Sequence, residues 1–264
     1  MIVIDSGLGG IAVARALRRQ APGLSFAYLA DTAGFPYGNR GVGEIISRAS
    51  HLLYALERQM TLSTIVLACN TLSTLALAAL RELHPSYHFV GTVPAVKVAA
   101  SKAKRFTLLA TPNTAQSAYS RQLTEEFAAG CIVDTYGAPN LARYAESQLL
   151  GDVVAQEAWQ QELAPAFFDD ADGKTQAVIL GCTHYPLVVE QLREAAPWPV
   201  EWIDSSEAIA RRALALPHGS TVPVQAFVTG HEHVARYRDI FAREGFGEVS
   251  ALVVADRLRE AAQA

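Results

Sequence analysis

Cysteine is scarce in this sequence, which has only Cys69, Cys131 and Cys182 among its 264 residues. An odd number of cysteines without zinc-type spacing argues against a disulfide framework and against a structural metal site. Apolar runs are short, and none reaches the length of a membrane-spanning segment. The first residues, Met1-Ile-Val-Ile-Asp5, are typical of a strand rather than of a charged secretion signal. We therefore expect a cytoplasmic protein with free thiols and no membrane partner.

Positive charge is also limited, because 22 lysines and arginines stand against 26 aspartates and glutamates, a formal net charge of −4. The basic residues form no cluster, so the sequence lacks the positive field with which proteins hold a nucleic-acid backbone. This composition argues against nucleic acid as the main partner. Half of the residues are hydrophobic and 18% are charged, which predicts a globular chain with a well-buried core.

Short runs rich in valine, isoleucine and leucine alternate with stretches of helical periodicity, the pattern of parallel strands joined by crossover helices. The predicted fold class is therefore α/β. The predicted strands are residues 2–5, 26–30, 64–68, 89–91, 106–110, 132–135, 177–181, 200–203 and 224–228. The predicted helices are residues 11–19, 43–58, 72–82, 114–128, 140–149, 187–195 and 207–214.

The order of these elements repeats along the chain. One strand ends at Asp5 and another at Thr111, and each is followed at a similar distance by a strand that leads into Cys69 or Cys182. This duplication predicts two pseudo-symmetric, mostly parallel-sheet α/β domains with a cleft between them, the usual place for a small-ligand site. We predict a discontinuous first domain, residues 1–94 plus 206–264, and a second domain, residues 95–205.

Two of the cysteines have matching surroundings. Each follows an apolar strand and is followed at once by polar residues, in the segments Cys69-Asn70-Thr71 and Cys182-Thr183-His184. A buried free cysteine is by default an apolar filler, and this is our interpretation of Cys131. The polar neighbours of the other two favour reactive thiols at the carboxyl ends of strands, where open α/β sheets place ligands.

The turn Asp5-Ser-Gly-Leu-Gly-Gly10 has two interpretations. Its glycines follow a strand and open a helix, and Asp31 ends the next strand, which imitates a dinucleotide-binding fingerprint. That fingerprint accounts for neither cysteine, and it puts the Asp5 carboxylate where a pyrophosphate would approach. We favour the second interpretation, in which the glycines let a substrate carboxylate approach the backbone while Asp5 and Ser6 face the reacting centre.

Three other features have a plain and a functional interpretation. The loop from Asp31 to Gly38 is either a surface turn or a clamp that holds a small ligand with the Tyr37 phenol and a backbone amide. The segment His231-Glu-His233 imitates a metal site, but it has no third ligand nearby, and we favour the start of a helix. Glu146 taken alone is a solvated carboxylate on a helix.

Six motifs, in order, resemble those of the cofactor-independent glutamate racemases, within the wider aspartate/glutamate racemase group. They are Asp5-Ser-Gly-Leu-Gly-Gly10, Ala30-Asp-Thr-Ala-Gly-Phe-Pro-Tyr-Gly38, Ala68-Cys-Asn-Thr71, Val93-Pro-Ala-Val-Lys97, Ala110-Thr-Pro-Asn-Thr114 and Leu180-Gly-Cys-Thr-His-Tyr-Pro-Leu187. They cover nearly the whole chain, and the last favours the glutamate enzymes over the aspartate and hydantoin racemases. The chain departs from the pattern at Leu72, Thr74 and Thr92.

The resemblance implies an isomerase that converts L-glutamate to D-glutamate for peptidoglycan synthesis, and so serves cell-wall biogenesis and cell shape. It implies no cofactor, no metal, glutamate as the small-molecule partner, and a homodimer. Cys69 and Cys182 would be the acid/base catalysts, Asp5 and His184 their assistants, and Glu146 an auxiliary carboxylate. The residues in contact with glutamate would be Asp5, Ser6, Tyr37, Gly38, Asn70, Thr71, Thr111, Thr114, Thr183 and His184.

The expected chemistry is proton transfer by two bases. Inverting an α-carbon needs a base on one face and an acid on the other, and two opposed thiols supply both. Hydrogen bonds from Asn70, Thr71 and Thr183 would stabilise the carbanion through the substrate carboxylate. The nearest competing function is that of a racemase for another amino acid such as aspartate. Two further classes stay open, an NAD-dependent oxidoreductase and a noncatalytic amino-acid-binding protein.

Overall fold

Parallel strands dominate the computed structural model of the chain, which describes residues 1–217 and 224–254. Residues 218–223 and 255–264 of the predicted first domain lie outside the described residues. The strands are β1 (Ile2–Asp5), β2 (Ala27–Ala30), β3 (Thr64–Leu67), β4 (His88–Gly91), β5 (Arg105–Ala110), β6 (Ile132–Gly137), β7 (Asp169–Asp170), β8 (Gly173–Lys174), β9 (Ala177–Gly181), β10 (Glu201–Ile203), β11 (Gln225–Thr229) and β12 (Glu248–Leu252).

Helices connect these strands. They are α1 (Ile11–Gln20), α2 (Val42–Glu57), α3 (Asn70–Leu83), α4 (Val96–Lys102), α5 (Pro112–Gln116), α6 (Ala118–Phe127), α7 (Leu141–Leu149), α8 (Gln156–Leu163), α9 (Val189–Ala195), α10 (Ser206–Leu214) and α11 (Val234–Arg243). Short 3-10 helices span Tyr37–Asn39, Ala164–Ala166, Tyr185–Val188 and His231–His233. Within the described ranges, no helix combines the length and the apolar character needed to cross a membrane.

The longer strands form two parallel sheets. The first sheet has the order β12-β11-β2-β1-β3-β4 and takes its strands from residues 2–91 and 225–252. The second sheet has the order β10-β9-β5-β6 and takes its strands from residues 105–203. Strands β7 and β8 form a separate antiparallel pair. The predicted α/β class with mostly parallel sheets is confirmed.

Each sheet has a topological switch point, where successive strands begin to be added on the opposite side of the first strand. In open α/β sheets, ligands bind at this point, outside the carboxyl ends of the strands. In the first sheet this point lies between β1 and β3, where Ile4 pairs with Leu67. In the second sheet it lies between β5 and β9, where Ala110 pairs with Gly181. The chain then enters Cys69 just beyond β3 and Cys182 directly after β9. The fold therefore presents both cysteines at switch points.

Both faces of each sheet are covered by helices, because strands that are apolar on both sides must be buried on both sides. In the first sheet, Val3 belongs to a core shared with α1, α10 and α11, whereas the next residue, Ile4, belongs to a core shared with α2 and α3. In the second sheet, Leu109 packs with α7, α8 and α9, and Leu108 packs with α4 and α6. These four cores hold the strand ends in place.

Some predicted elements differ from the observed ones. The predicted helix 114–128 is divided into α5 and α6, because Ser117 has an extended backbone and its Oγ accepts the Ser120 N–H at 3.1 Å. Strand β12 was missed because it lies at a sheet edge, where most of its residues are only half-buried and give a weak apolar signal. The short helices α4 and α8 were also missed.

Candidate functional site

One cavity has walls from the strand ends of both sheets. Cys69 and Cys182 both line it, with only 7% and 6% of their surfaces exposed. The other lining residues are Ser6, Phe35, Pro36, Tyr37, Gly38, Asn70, Thr71, Thr111, Ala142 and His184. The space among these residues, including the part open to solvent, is about 270 Å³, which is too little for a dinucleotide.

The residues singled out by the sequence lie in two layers around this cavity. Most of them line it directly. Four lie behind the lining and are hydrogen-bonded within the site: Asp5, Thr114, Glu146 and Thr183. Phe35 and Pro36 also line the cavity and were not predicted, although the loop that carries them was. Ala142 was not predicted either, because an alanine in a helical pattern indicates only packing.

The glycine-rich turn after β1 brings the two walls into close contact. A Cβ atom added at Gly7 would come within 2.7 Å of Glu146 Oε1, and one added at Gly9 would come within 2.5 Å of His184 Nδ1. Glu146 and His184 both belong to the part of the chain that carries the second sheet. These glycines therefore allow the two walls of the cavity to come close together, a purpose that the dinucleotide interpretation does not require.

Asp5 and Cys69 form the first side of the site. The fully buried Asp5 carboxylate accepts hydrogen bonds from the Gly7 N–H at 2.8 Å and from the Thr183 hydroxyl at 2.9 Å. Burial raises the pKa of Asp5, although the nearby His184 acts in the opposite direction. Burial also raises the pKa of the Cys69 thiol far above its ordinary value, and the charge of Asp5 adds to this effect. Cys69 is therefore a protonated thiol when the site is at rest.

Cys182, His184 and Glu146 form the second side. The Cys182 sulfur lies 3.8 Å from His184 Nδ1, and His184 Nε2 lies 2.8 Å from Glu146 Oε2. Burial by itself lowers the pKa of His184, but the bonds to Cys182 and Glu146 outweigh it, so that the pKa lies well above its ordinary value. Cys182 thus has a cationic imidazolium next to its sulfur. Glu146 is only 4% exposed, so the plain interpretation of a solvated carboxylate is wrong.

Hydroxyl groups from the two halves meet beside the cysteines. Thr71 Oγ1 lies 2.8 Å from Thr111 Oγ1 and 3.3 Å from Thr114 Oγ1, so α3 and α5 are joined at their amino ends. The Asn70 side-chain nitrogen is buried and, among the described residues, has no hydrogen-bond partner. Helix α3 begins at Asn70, and its first backbone N–H groups lie next to the cavity. This corner can hold an anionic group such as a carboxylate.

The loop from Asp31 to Gly38 forms a fixed wall rather than a surface turn. Tyr37 is 1% exposed and donates its hydroxyl hydrogen bond to Asp31, which also pairs with Arg48. Burial raises the pKa of Tyr37 well above its ordinary value. Asn113, from the other half, donates to the Tyr37 carbonyl at 3.3 Å. The Tyr37 phenol is therefore bonded to Asp31. The sequence did not predict this network of Tyr37, Asp31 and Arg48, because Arg48 lies on helix α2, outside the loop.

The segment His231–His233 and Cys131 have structural rather than functional surroundings. His231–His233 is a short 3-10 helix that leads into α11, so the helix-start interpretation is confirmed. Within the described ranges, no group of three or more histidine, cysteine or acidic side chains is arranged to hold a metal ion. Cys131 is half-buried against the core of the second sheet, as a packing residue is expected to be.

The fold and the cavity define a class of protein. Two parallel α/β sheets each deliver one buried cysteine to a shared small-ligand cavity, with the Asp5 carboxyl group near one thiol and the His184 imidazolium near the other. This arrangement suits an isomerase, because a thiol at either wall can act as an acid or as a base on a molecule bound between them.

Comparison with known proteins identifies the family. The sequence profile described as Asp/Glu/Hydantoin racemase matches residues 8–213. The chain is 44% identical over 224 residues to the glutamate racemase of Rhizobium meliloti (strain 1021), covering 83% of this chain and 81% of the relative. It is 41% identical over 256 residues to the glutamate racemase of Agrobacterium fabrum, covering 94% and 93%. The chain belongs to the Asp/Glu/hydantoin racemase family.

Solved structures agree with this assignment. The glutamate racemase of Escherichia coli, crystallised with L-glutamate and the activator UDP-MurNAc-Ala, has a TM-score of 0.88 at 32% identity, covering 96% of this chain and 98% of that one. A glutamate racemase isoform, RacE1, from Bacillus anthracis has a TM-score of 0.77 at 28% identity, covering 97% of both chains. The resemblance predicted from the motifs is confirmed.

Proposed function

We propose that this protein interconverts L-glutamate and D-glutamate by passing the α-proton between Cys69 and Cys182. The observation that carries the proposal is the pair of buried thiols lining one small cavity between two equivalent strand ends. The relatives that match most of the chain are glutamate racemases, which supports glutamate as the substrate. The chemistry needs no pyridoxal group and no metal.

Each turnover moves one proton in and one proton out. The thiolate on one wall takes the α-proton, and the electron pair of the broken C–H bond stays on the α-carbon as a carbanion delocalised into the carboxylate. The thiol on the other wall then donates its proton to the opposite face of that carbon, which inverts it. The two cysteines end with exchanged proton states, so the same site works in both directions.

The neighbours of each thiol set these proton states. The His184 imidazolium lies 3.8 Å from the Cys182 sulfur, so it can stabilise negative charge that develops there, and Glu146 holds that imidazolium on its far side. Cys69 starts as the thiol because burial and the Asp5 charge both oppose its ionisation. In the reverse direction Cys69 must ionise, and the buried Asp5 can take up the proton that makes this possible.

The carbanion also needs stabilisation, since the α-proton of an amino acid is a very weak acid. The substrate carboxylate fits the corner formed by Asn70, Thr71 and the amino end of α3, where the Asn70 side chain is free to donate. Ser6, Tyr37, Gly38 and Thr111 form the rest of the wall around glutamate, and Asp5, Thr114, Thr183 and His184 support it from behind or beside the sulfur atoms. Each preorganised donor contributes about 3 kcal/mol to the transition state.

The wider setting follows from the family. D-Glutamate made by this enzyme enters peptidoglycan, so the protein serves cell-wall biogenesis and cell shape. We place it in the cytoplasm and expect it to act as a homodimer. The strand membership of the two sheets supports domain boundaries near residues 94 and 205, with residues 1–94 plus 206–264 as the first domain and 95–205 as the second.

Circular dichroism of L-glutamate incubated with the purified protein tests the proposal. The ellipticity should decay to zero, because the two enantiomers have equal free energy in water and the equilibrium mixture is racemic. Parallel incubations with L-aspartate and with other amino acids decide the substrate. Retention of the L-glutamate signal by a folded protein, with or without added NAD, would refute the proposal. Faster decay of the aspartate signal would favour an aspartate racemase instead.

A further inference from the structure

The buried carboxylate of Glu146 has a donor that the proposed mechanism has not used. Besides His184, it accepts the Leu8 backbone N–H at 2.9 Å on Oε2 and the Tyr237 hydroxyl at 2.6 Å on Oε1. Tyr237 lies on α11, which follows the first sheet's β11, whereas Glu146 lies on α7 beside the second sheet. One carboxylate therefore joins a helix of the first half to the imidazole that faces Cys182.

The surroundings of Tyr237 keep its hydroxyl protonated and able to donate a hydrogen bond. Its ring is 5% exposed and packs in the core of the first sheet, with the Phe241 ring 6.4 Å away in a stacked orientation. Burial and the neighbouring Glu146 charge raise the pKa of Tyr237 above its ordinary value, so the phenol keeps its proton. A carboxylate can only accept, and a phenol that cannot ionise can only donate to it.

We propose that Tyr237 is a positioning residue, whose hydroxyl fixes the Glu146 carboxylate so that Oε2 faces His184. This inference rests on the proposed two-thiol mechanism and adds α11 to the set of elements that control it. A hydrogen bond to a carboxylate favours its charged form, and that charge holds the imidazolium beside Cys182. The position of α11 therefore sets how readily the second thiol exchanges its proton.

Other charged and titratable groups surround the same carboxylate. Those around it are Asp5 at the end of β1, Tyr28 on β2, His184 beside Cys182 and Tyr237 on α11. The adjacent Arg236 acts on Tyr237 and pairs with Asp152 at 2.5 Å. Of these groups, only His184 and Tyr237 donate a hydrogen bond directly to Glu146. A change at Tyr237 should therefore appear in the pH dependence of turnover.

Tyr237→Phe tests this inference, because it removes the hydroxyl and keeps the ring. We expect kcat to fall about tenfold at neutral pH with little change in KM, the loss expected when a charged group near the reacting atoms is misplaced. The acid limb of the kcat profile should move to higher pH, because the carboxylate of the His184–Glu146 pair then lacks a donor that favours its charged form. Site-specific 3-fluorotyrosine at position 237, which keeps the shape and strengthens the donor, should move the limb to lower pH.

Tyr87→Phe is the matched control. Tyr87 donates to Glu57 at 2.5 Å, an exposed bond of the same kind outside the cavity lining, so its loss should leave turnover unchanged. In a Glu146→Gln background, Tyr237→Phe should produce no further shift of the acid limb. Unchanged kcat and unchanged profiles in both position-237 variants would overturn the inference while wild-type racemisation still stood. Absence of racemisation in the wild-type protein would instead refute the proposed function.

Discussion

Replacing either wall cysteine by alanine should abolish racemisation in both directions while leaving half of the proton exchange intact. Both thiols are nearly closed off from solvent, with 7% and 6% of their surfaces exposed, so bulk water cannot take over their role. A positioned acid or base contributes about 10²- to 10⁴-fold to a rate. We therefore expect kcat/KM to fall by at least about 10³-fold, or about 4 kcal/mol of transition-state stabilisation.

The loss must be the same for both enantiomers, because their equal free energies force equal kcat/KM values at equilibrium. Proton exchange with solvent is not bound by that rule. In Cys182→Ala the remaining Cys69 can remove and return the α-proton of the enantiomer whose C–H bond faces it, and in Cys69→Ala the remaining Cys182 does so for the other enantiomer. NMR of glutamate in D₂O should therefore record loss of the α-proton signal from one enantiomer in each variant, and from opposite enantiomers in the two.

Cys131→Ala is the control for this experiment. Its sulfur lies 3.6 Å from the Ala103 carbonyl, outside the cavity lining, so full activity is expected. Racemisation at the wild-type rate by either single variant at a wall cysteine would refute the two-thiol mechanism. Exchange of both enantiomers by one remaining thiol would show that a single group reaches both faces of the α-carbon.

Three further outcomes are expected. Gly9→Ala should reduce kcat at least tenfold in a folded protein, because the added methyl group would collide with His184 Nδ1. A variant with the wild-type kcat and the wild-type melting temperature would show that this close contact does not matter. Thr92→Val should lower the free energy of unfolding in urea by about 1 to 3 kcal/mol, because the Thr92 hydroxyl donates to the buried Leu67 and Ala68 carbonyls at 2.9 and 3.0 Å. An unfolding curve with the wild-type midpoint and the wild-type slope would contradict this prediction. The pKa of His184 is raised in the folded protein, so its contribution to stability is complete below the unfolded pKa of about 6.5 and is lost as pH rises through the folded pKa. The difference in the free energy of unfolding between wild type and His184→Gln, measured in urea, should therefore shrink from neutral to alkaline pH.

Local sequence patterns were enough to predict most of the parallel strands. Buried runs such as residues 177–181 are apolar on both faces and end abruptly at polar residues, so their type and their ends follow from the residues themselves. The edge strand β12 failed this test because its pairing with β11 comes from the tertiary structure rather than from its own composition. The break at Ser117 was missed for a related reason, since a serine can cap a helix as well as extend one.

The site residues likewise fall into those that the local sequence predicted and those that only the fold brought together. The motifs around Cys69 and Cys182 are contiguous in sequence, and their polar neighbours alone indicated chemistry at the ends of strands. The partners of Glu146 and Asp31 are not contiguous with them. Tyr237 lies 91 positions from Glu146. Arg48 lies on helix α2, outside the loop that holds its partner Asp31. No periodicity or spacing indicates which distant hydroxyl or guanidinium will reach a given carboxylate.

The sequence by itself determined the fold class, the two matching strand ends and the pair of cysteines, because each of these is written in short stretches of chain whose polarity and size dictate the local outcome. Only the tertiary structure decided that the thiols open onto one cavity and that their surroundings differ in charge. Burial and the distance between groups remote in sequence set the proton affinity of Cys69 and His184, and these quantities exist only once the two sheets have closed on each other.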